Sequence, residues 1–225
     1  MTDVLASYPP VTLPVLGGGR FHVRRVFCVG RNYAEHAKEM GADTREPPFF
    51  FGKSAEAVTN AADVPYPPAT EDLHHEVELV VALAEGGRDL SPGAVRSRIF
   101  GYGVGVDLTR RDLQAVAKKL ARPWFLAKSF VGAAPTGPIT RAGEVGHPRR
   151  GAIKLEVDGA VRQSGDLAEM IWSVDEVIAN LSTYDTLLPG DLVFTGTPAG
   201  VGAIKAGNKV VGTVEGLEPV AFTLR

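Results

Sequence analysis

The chain has 225 residues, a formal net charge of −2 and 44% apolar residues. This length allows one large domain with a sizeable core, or at most two small ones. The balanced charge gives no electrostatic reason to expect binding to nucleic acid or to an anionic membrane. We predict no signal peptide, and no apolar run approaches the roughly 20 residues that span a bilayer. The single cysteine, Cys28, fits a reducing cytoplasm, so we expect a cytoplasmic protein.

Twenty-six glycines and sixteen prolines are spread along the chain between short Val-rich segments. This pattern predicts a β-rich mixed α/β fold with many turns and a few short helices. The prolines and glycines before residue 26 predict an irregular N-terminal arm over residues 1–25. Residues 26–225 are then expected to form a single domain.

The segment after the first predicted strand reads as a short helix. Asn32 followed by Glu35 resembles a capping box, and Gly41 is a favourable helix end. His36 and Glu39 are three residues apart and would be neighbours on its surface. A carboxylate beside an imidazole can orient it and raise its basicity, as a general base requires. A solvated helix face explains the same residues, and from this segment alone it is the more common situation.

Three consecutive phenylalanines, Phe49 to Phe51, precede Gly52 and Lys53. They cannot all point to one side of a strand, which indicates a deeply buried segment or a dimer contact. Lys53 is either a cation of a site or a charge at the end of a strand.

Two carboxylates stand on one face of the next predicted strand. The sequence runs from Leu73 through His74, His75 and Glu76 to Glu78 and then into an apolar stretch typical of a buried strand. Because strand side chains alternate, Glu76 and Glu78 share a face and His75 points the other way. Like charges held together in a core are unfavourable, and a divalent cation would remove the repulsion.

Asp107 ends a strand with alternating glycines at 101, 103 and 105, which indicate close backbone approach rather than a dinucleotide loop. It is therefore a candidate third carboxylate. A helix is predicted to follow, opened by a capping box at Thr109 and Asp112, with Leu113, Val116, Ala117 and Leu120 as its apolar stripe.

Polar residues further along could belong to the same site. Arg111, Gln114 and Lys118 lie on the side of the helix away from its apolar stripe, and helical geometry alone favours exposure to solvent. Lys128 lies in apolar surroundings and could supply a fixed positive charge to an oxyanion, or could be a surface lysine. The loop at residues 195–202 lacks a P-loop ending, but its hydroxyls and amides could hold a carboxylate.

Taken in order, these segments resemble the fumarylacetoacetate hydrolase family. The resemblance covers roughly Val26 to the C-terminus and rests on five motifs: residues 29–39, residues 73–79, residues 105–114, residues 123–130 and residues 195–202. The length resembles the short, single-domain branch of acylpyruvate and fumarylpyruvate hydrolases. Ser54 departs from the proline that often follows the lysine at the position of Lys53.

The resemblance implies a fold of mixed sheets rolled around a central metal site and a homodimer. It implies a Mg²⁺ or Mn²⁺ ion held by Glu76, Glu78 and Asp107, and ligands that are all oxygen favour those ions independently. His36 and Glu39 would activate a water, and Lys128 would stabilise the developing oxyanion. Arg111, Gln114 and Thr197 would bind the substrate, and a lid that carries His36 would close over the site.

The expected activity is hydrolysis of the carbon–carbon bond of a 2,4-dioxo acid, with fumarylpyruvate of aromatic catabolism as the favoured substrate because residues 48–51 and 108–112 resemble those enzymes most. Oxaloacetate decarboxylation or hydroxymuconate isomerisation on the same metal site is the alternative. A metal- or ligand-binding scaffold without catalysis is a further alternative, although such a scaffold would have no reason to retain both His36 and Glu39.

Overall fold

A computed structural model of the chain describes residues 8–33 and 46–225. The predicted helix with His36 and Glu39 lies outside the described residues. Strands hold more of the described residues than helices do, and the helices are short, as the glycine and proline content predicts. The α-helices of the described residues are α1 (Pro92–Val95), α2 (Arg111–Lys119), α3 (Phe125–Lys128), α4 (Ala142–Val145) and α5 (Val174–Tyr184). Three short 3-10 helices are Ala55–Ala57, Arg96–Arg98 and Leu167–Glu169.

A six-stranded sheet forms the centre of the molecule. Its strands, in spatial order, are β12 (Thr140–Arg141), β9 (Ile99–Val106), β8 (Val77–Leu83), β15 (Leu192–Phe194), β3 (Val26–Gly30) and β4 (Phe49–Lys53). Only β15 and β3 are parallel neighbours in this sheet. Every residue of β8 is buried. Leu79 and Val81 pack into one core cluster and Val80 and Ala82 into the other, so apolar residues cover both faces of the sheet.

A second sheet packs beside the first. Its five strands, in spatial order, are β14 (Ala160–Asp166), β13 (Ala152–Val157), β17 (Lys209–Val214), β18 (Val220–Leu224) and β6 (Asp63–Val64). The hairpin of β13 and β14 turns at Asp158 and Gly159, and both residues have positive φ angles.

A small three-stranded sheet adjoins the candidate site. It consists of β10 (Thr109–Arg110), β7 (Leu73–His75) and β16 (Gly202–Ile204), all antiparallel. Two further pairs complete the described structure: β1 (Thr12–Pro14) with β2 (Arg20–His22), and β11 (Ala134–Pro135) with β5 (Val58–Thr59).

Two predictions of local structure are wrong. Residues 12–22 of the arm form the β1–β2 hairpin, and Leu13 and Phe21 are buried in the same cluster as Val26, because their apolar side chains cover one face of the central sheet. Helix α2 has no capping box: the residue before it is Arg110, and the Asp112 carboxylate accepts a hydrogen bond from Thr70 instead. Ser173, by contrast, caps α5 in a capping box.

Within the described residues, no helix is long and apolar enough to cross a membrane. Cys28 is a buried free thiol, and burial raises its pKa well above the ordinary value. The thiol therefore has a structural role, in keeping with its apolar neighbours.

Candidate active site

Three segments of the chain cross between the six-stranded sheet and the three-stranded sheet, and they do so at the same place in the molecule. Glu76 is the single residue between β7 and β8. Asp107 directly follows β9, two residues before β10 begins. The third passage, residues 195–201, joins β15 to β16. The Asp107 amide donates to the Glu76 carbonyl at 2.8 Å, which ties the first two passages together.

Three carboxylates meet at this place. Glu76, Glu78 and Asp107 each offer an oxygen atom, and these atoms lie within 4.8 Å of one another. All three residues are buried, with exposures of 6%, 2% and 0%. Because His75 occupies the opposite face of the strand, it takes no part in the cluster, as the alternation of the sequence predicts.

Buried cations neutralise two of the carboxylates directly. The Lys128 ammonium group lies 2.8 Å from Glu76 Oε2 and 2.7 Å from Asp107 Oδ2. Lys53 Nζ lies 2.7 Å from Asp107 Oδ1, and the Arg111 guanidinium forms an ion pair with Glu76 Oε1. Burial by itself would lower the pKa of Lys128, but Asp107 and Glu76 outweigh it and raise that pKa. Lys128 therefore stays charged inside the protein.

Among the three carboxylates, Glu78 has the least positive charge nearby to offset its own negative charge. Its Oε2 accepts a hydrogen bond from the Gly196 amide at 2.6 Å. Burial, together with the negative charges of Asp107 and Glu76, raises the pKa of Glu78 well above the ordinary value. Gly196 has a φ of +94°, and a Cβ there would lie 2.7 Å from Asn32 Cβ, so only glycine brings this amide to the carboxylate.

The donor set fits a hard divalent cation. Its ligands would be carboxylate oxygens alone, the set that Mg²⁺ and Mn²⁺ prefer. A cation held by Glu76, Glu78 and Asp107 would also offset the charge repulsion that raises the pKa of Glu78. The three predicted ligands therefore lie together in the structure. That a metal ion binds to them stays a prediction.

The residues predicted to bind substrate line the same cleft. Arg111, Gln114 and Thr197 border it together with Glu76 and Lys128. Arg111 Nη1 donates to Gln114 Oε1 at 2.6 Å, and its Nε donates to His74 Nδ1 at 3.3 Å. His74 in turn contacts Asp72 at 2.9 Å, so a chain of polar contacts fixes the arginine. Their substrate-binding role stays a prediction.

The structure decides between the two environments that the sequence left open for the polar face of α2, solvent and the wall of a polar site. Gln114 is buried and Arg111 faces the cleft, whereas Val116 and Leu120 of the predicted apolar stripe are about half exposed, at 52% and 49%. The reason is that the polar face of the helix covers the charged site rather than solvent. Helical periodicity shows that two faces differ but does not say what each face meets.

The sequence did not identify Gln163 as part of this region. Its side-chain amide is buried and donates to Thr197 Oγ1 and to the Pro198 carbonyl, both at 2.8 Å. Its carbonyl oxygen accepts from the Val77 amide at 3.0 Å and contacts His75 Nδ1 at 2.9 Å. No local pattern marks this glutamine, because all its partners are distant in sequence.

Lys53 is a cation of the site, one of the two explanations that the sequence left open. It is buried and contacts the carbonyls of Leu108, at 3.3 Å, and of Lys128 in addition to Asp107. Lys53 resembles Lys128 in sequence, since each is a lone lysine in an apolar segment. His36 and Glu39 lie outside the described residues, so their role stays a prediction.

These carboxylates and buried lysines, held where strands cross between sheets, agree with the family that the motifs resemble. Residues 25–225 match the family model described as fumarylacetoacetate (FAA) hydrolase C-terminal, and the chain belongs to this family. The predicted β-rich mixed fold is confirmed by solved structures of the same kind.

The similar proteins carry two kinds of name, fumarylpyruvate hydrolase and oxaloacetate tautomerase. A fumarylpyruvate hydrolase from Ralstonia sp is 44% identical over 181 residues, which cover 80% of this chain and 93% of that protein. A crystal structure of fumarylpyruvate hydrolase from Pseudomonas aeruginosa, in complex with Mn²⁺ and pyruvate, is 46% identical with a TM-score of 0.96 and covers 99% of both chains. An oxaloacetate tautomerase from Escherichia coli (strain K12) is 40% identical over 198 residues, 87% of this chain and 90% of that protein.

Proposed function

We propose that this protein is a Mg²⁺- or Mn²⁺-dependent hydrolase that cleaves the carbon–carbon bond of a 2,4-dioxo acid, with fumarylpyruvate as the favoured substrate and fumarate and pyruvate as products. The observation that carries the proposal is the buried cluster of Glu76, Glu78 and Asp107 at the base of a cleft lined by cations. The names of the Ralstonia and Pseudomonas relatives support the substrate.

Glu76, Glu78 and Asp107 would hold the ion. When bound, it supplies Lewis-acid stabilisation of negative charge on the substrate oxygens. Side chains of the protein bind the substrate and transfer protons. Arg111, Gln114 and Thr197 bind the 2-oxo acid end, because guanidinium, amide and hydroxyl groups donate hydrogen bonds to carboxylate and carbonyl oxygens.

His36, oriented by Glu39, takes a proton from a water molecule, and the resulting hydroxide adds to the C4 carbonyl of the substrate. The bond between C3 and C4 then breaks. C4 leaves as a carboxylate, and C3 keeps the electron pair as the enolate of pyruvate, which accepts a proton. Lys128, buried and charged, stabilises the developing oxygen anion.

Chemistry on oxaloacetate is the second candidate, and the Escherichia coli relative favours it. Oxaloacetate offers the same 2-oxo acid end to Arg111, Gln114 and Thr197. It lacks the C4 ketone to which hydroxide would add, so a tautomerase or a decarboxylase would not depend on a water-activating pair in the same way.

We also propose that the protein forms a homodimer. Its proposed location is the cytoplasm, and its proposed role is in aromatic catabolism. Large apolar side chains exposed between residues 116 and 131 support a dimer. Phe125, Leu126 and Val131 are 60%, 69% and 73% exposed, beside the half-exposed Val116 and Leu120 of α2. Such a concentration of exposed apolar side chains is typical of a surface that another protein covers.

The test is a substrate panel of fumarylpyruvate, acetylpyruvate and oxaloacetate with Mg²⁺ and with Mn²⁺. Loss of the dioxo-acid ultraviolet absorbance is followed and the products are identified. We expect hydrolysis of fumarylpyruvate that disappears on chelation and in Glu76→Ala, but not in Glu56→Ala, which alters an exposed carboxylate. Unchanged hydrolysis in Glu76→Ala would exclude the proposal, and turnover of oxaloacetate alone would favour the second candidate.

A further inference from the structure

Two cations of the cleft have no carboxylate partner in the described part of the chain. Arg31 and Lys118 line the cleft together with Arg111 and Lys128. Arg111 and Lys128 each form an ion pair with a member of the carboxylate cluster. Within the part of the chain that the structure describes, Arg31 Nε is buried with no hydrogen-bond partner, and the Lys118 ammonium group lies against an aromatic ring. Cations turned into a cleft without a counter-charge indicate an anionic ligand.

An aromatic wall holds these two cations. The Arg31 guanidinium lies 5.5 Å from the centre of the Phe49 ring, and Lys118 Nζ lies 5.2 Å from that of Trp124. The two rings meet edge to face with their centres 5.5 Å apart. Cation–π contacts position a cation and leave its hydrogen-bond donors available. The four side chains therefore form one unit on the rim of the cleft.

Backbone strain indicates that the Arg31 position has a function. Its φ angle is +59°, in the left-handed region that a residue with a Cβ adopts only at a cost. The residue directly follows β3 and precedes Asn32, whose side chain is fixed by the Trp172 and Thr195 carbonyls. Strain of this kind persists where the surroundings hold a side chain in a required direction.

Lys118 faces a strongly positive neighbourhood. Partial burial, and then the charges of Arg111, Arg31 and Lys128, lower its pKa to about 8, and only Glu76 opposes them. A carboxylate bound between Arg31 and Lys118 would remove this repulsion.

We propose that Arg31 and Lys118 form a second carboxylate subsite, which binds the far end of a dicarboxylate dioxo acid. This inference rests on the proposed function. Arg111, Gln114 and Thr197 serve the 2-oxo acid end, so Arg31 and Lys118 are left for the other end of the molecule. The subsite makes Arg31 and Lys118 specificity-determining residues that select a second negative charge.

The test compares fumarylpyruvate with crotonylpyruvate, in which a methyl group replaces the distal carboxylate. We expect Lys118→Met to lower kcat/KM for fumarylpyruvate by about tenfold to a hundredfold, as expected for loss of a hydrogen bond to a charged group. The change for crotonylpyruvate should stay below about threefold. Arg31→Gln should give the same selective loss.

Lys119→Met is the matched control, since it alters the neighbouring, exposed lysine of the same helix and should change neither substrate. Equal losses on both substrates in Lys118→Met would overturn the subsite, because the cation would then act on the shared part of the molecule. No loss on either substrate would overturn it as well.

The subsite can also be tested if the protein is not a hydrolase of these compounds. If the wild-type protein hydrolyses neither compound, calorimetric titration with the same pair still measures the subsite. Tighter binding of fumarylpyruvate, lost in Lys118→Met, would support the subsite without the hydrolase. Equal affinity for the two compounds in the wild type would refute it.

Discussion

His75 Nδ1 lies 2.9 Å from Gln163 Oε1, and this contact connects the strand before Glu76 to the loop that carries Thr197. Gln163 Nε2 faces two oxygens, so its Oε1 must be the acceptor, and His75 Nδ1 carries the proton. Burial lowers the pKa of His75, which keeps the ring neutral at physiological pH. One glutamine therefore joins the metal-site strand to the substrate-site loop.

Replacing Gln163 with methionine should destabilise the protein. The Val77 amide and His75 would lose their buried acceptor, and an unsatisfied buried donor costs about 1–3 kcal/mol. We expect the free energy of unfolding, measured by urea denaturation, to fall by about that amount. Ser164→Ala, on the exposed neighbour in β14, is the control and should have little effect. A variant as stable as the wild type would show that the contact contributes nothing.

Glu78→Gln should abolish metal binding without destabilising the metal-free protein. The amide oxygen can still accept from Gly196, and a buried negative charge with a raised pKa is removed. We expect Mn²⁺ to raise the Tm of the wild type, because a ligand that binds only the folded state stabilises it, and to leave the variant unchanged. A marked loss of Tm in the metal-free variant would contradict this account.

Lys53→Met should be among the most damaging single changes. It leaves the Asp107 carboxylate without one of its buried cations, and breaking a buried ion pair costs about 3–5 kcal/mol. Denaturation curves should show the loss in the metal-free protein and a partial recovery with Mn²⁺, which supplies positive charge to the same carboxylate. Lys119→Met, at an exposed position, should behave like the wild type.

The pKa of Lys118, lowered to about 8, predicts a pH dependence for the second carboxylate subsite. The ammonium form binds carboxylate and is lost as pH rises through that value. The KM for fumarylpyruvate should therefore rise by up to about tenfold between pH 7 and pH 9, while that for crotonylpyruvate stays flat. Lys118→Arg keeps its charge over this range and should remove the rise. The same rise in Lys118→Arg would assign the titration to another group.

Leu126→Glu should weaken the proposed homodimer. Leu126 is 69% exposed, so the substitution costs the monomer little and introduces charge into the apolar segment of residues 116–131. Sedimentation velocity should show a dimer for the wild type and a shift toward monomer for the variant. Val161→Glu, another exposed apolar residue but in β14, is the control. A wild-type monomer at micromolar concentration would refute the dimer.

Much of the site follows from local sequence because the chemistry depends on strand alternation. Glu76 and Glu78 share a face since strand side chains alternate, and the same rule removes His75 from the cluster. Asp107 and Lys128 were recognisable as charged residues at the ends of apolar segments. The motifs around them were enough to indicate the family, the metal and the reaction class.

Other features depended on contacts between distant segments. Periodicity distinguishes the two faces of α2 and by itself favours solvent for the polar one, because it cannot show that a charged site lies beneath Arg111 and Gln114. The prolines before residue 26 predict an irregular arm, yet Leu13 and Phe21 pack against the central sheet.

Local sequence specifies the kinds of chemical group and their order along the chain: two carboxylates on one strand face, a third at a strand end, and lone lysines in apolar segments. How these groups combine depends on the folded structure. It brings Lys53 to Asp107 and Gln163 to His75, and it leaves Arg31 and Lys118 in the cleft without a carboxylate partner among the described residues. The physical reason is that charge compensation in a core is set by distance in space, and chain crossings between sheets place residues far apart in sequence within hydrogen-bonding distance.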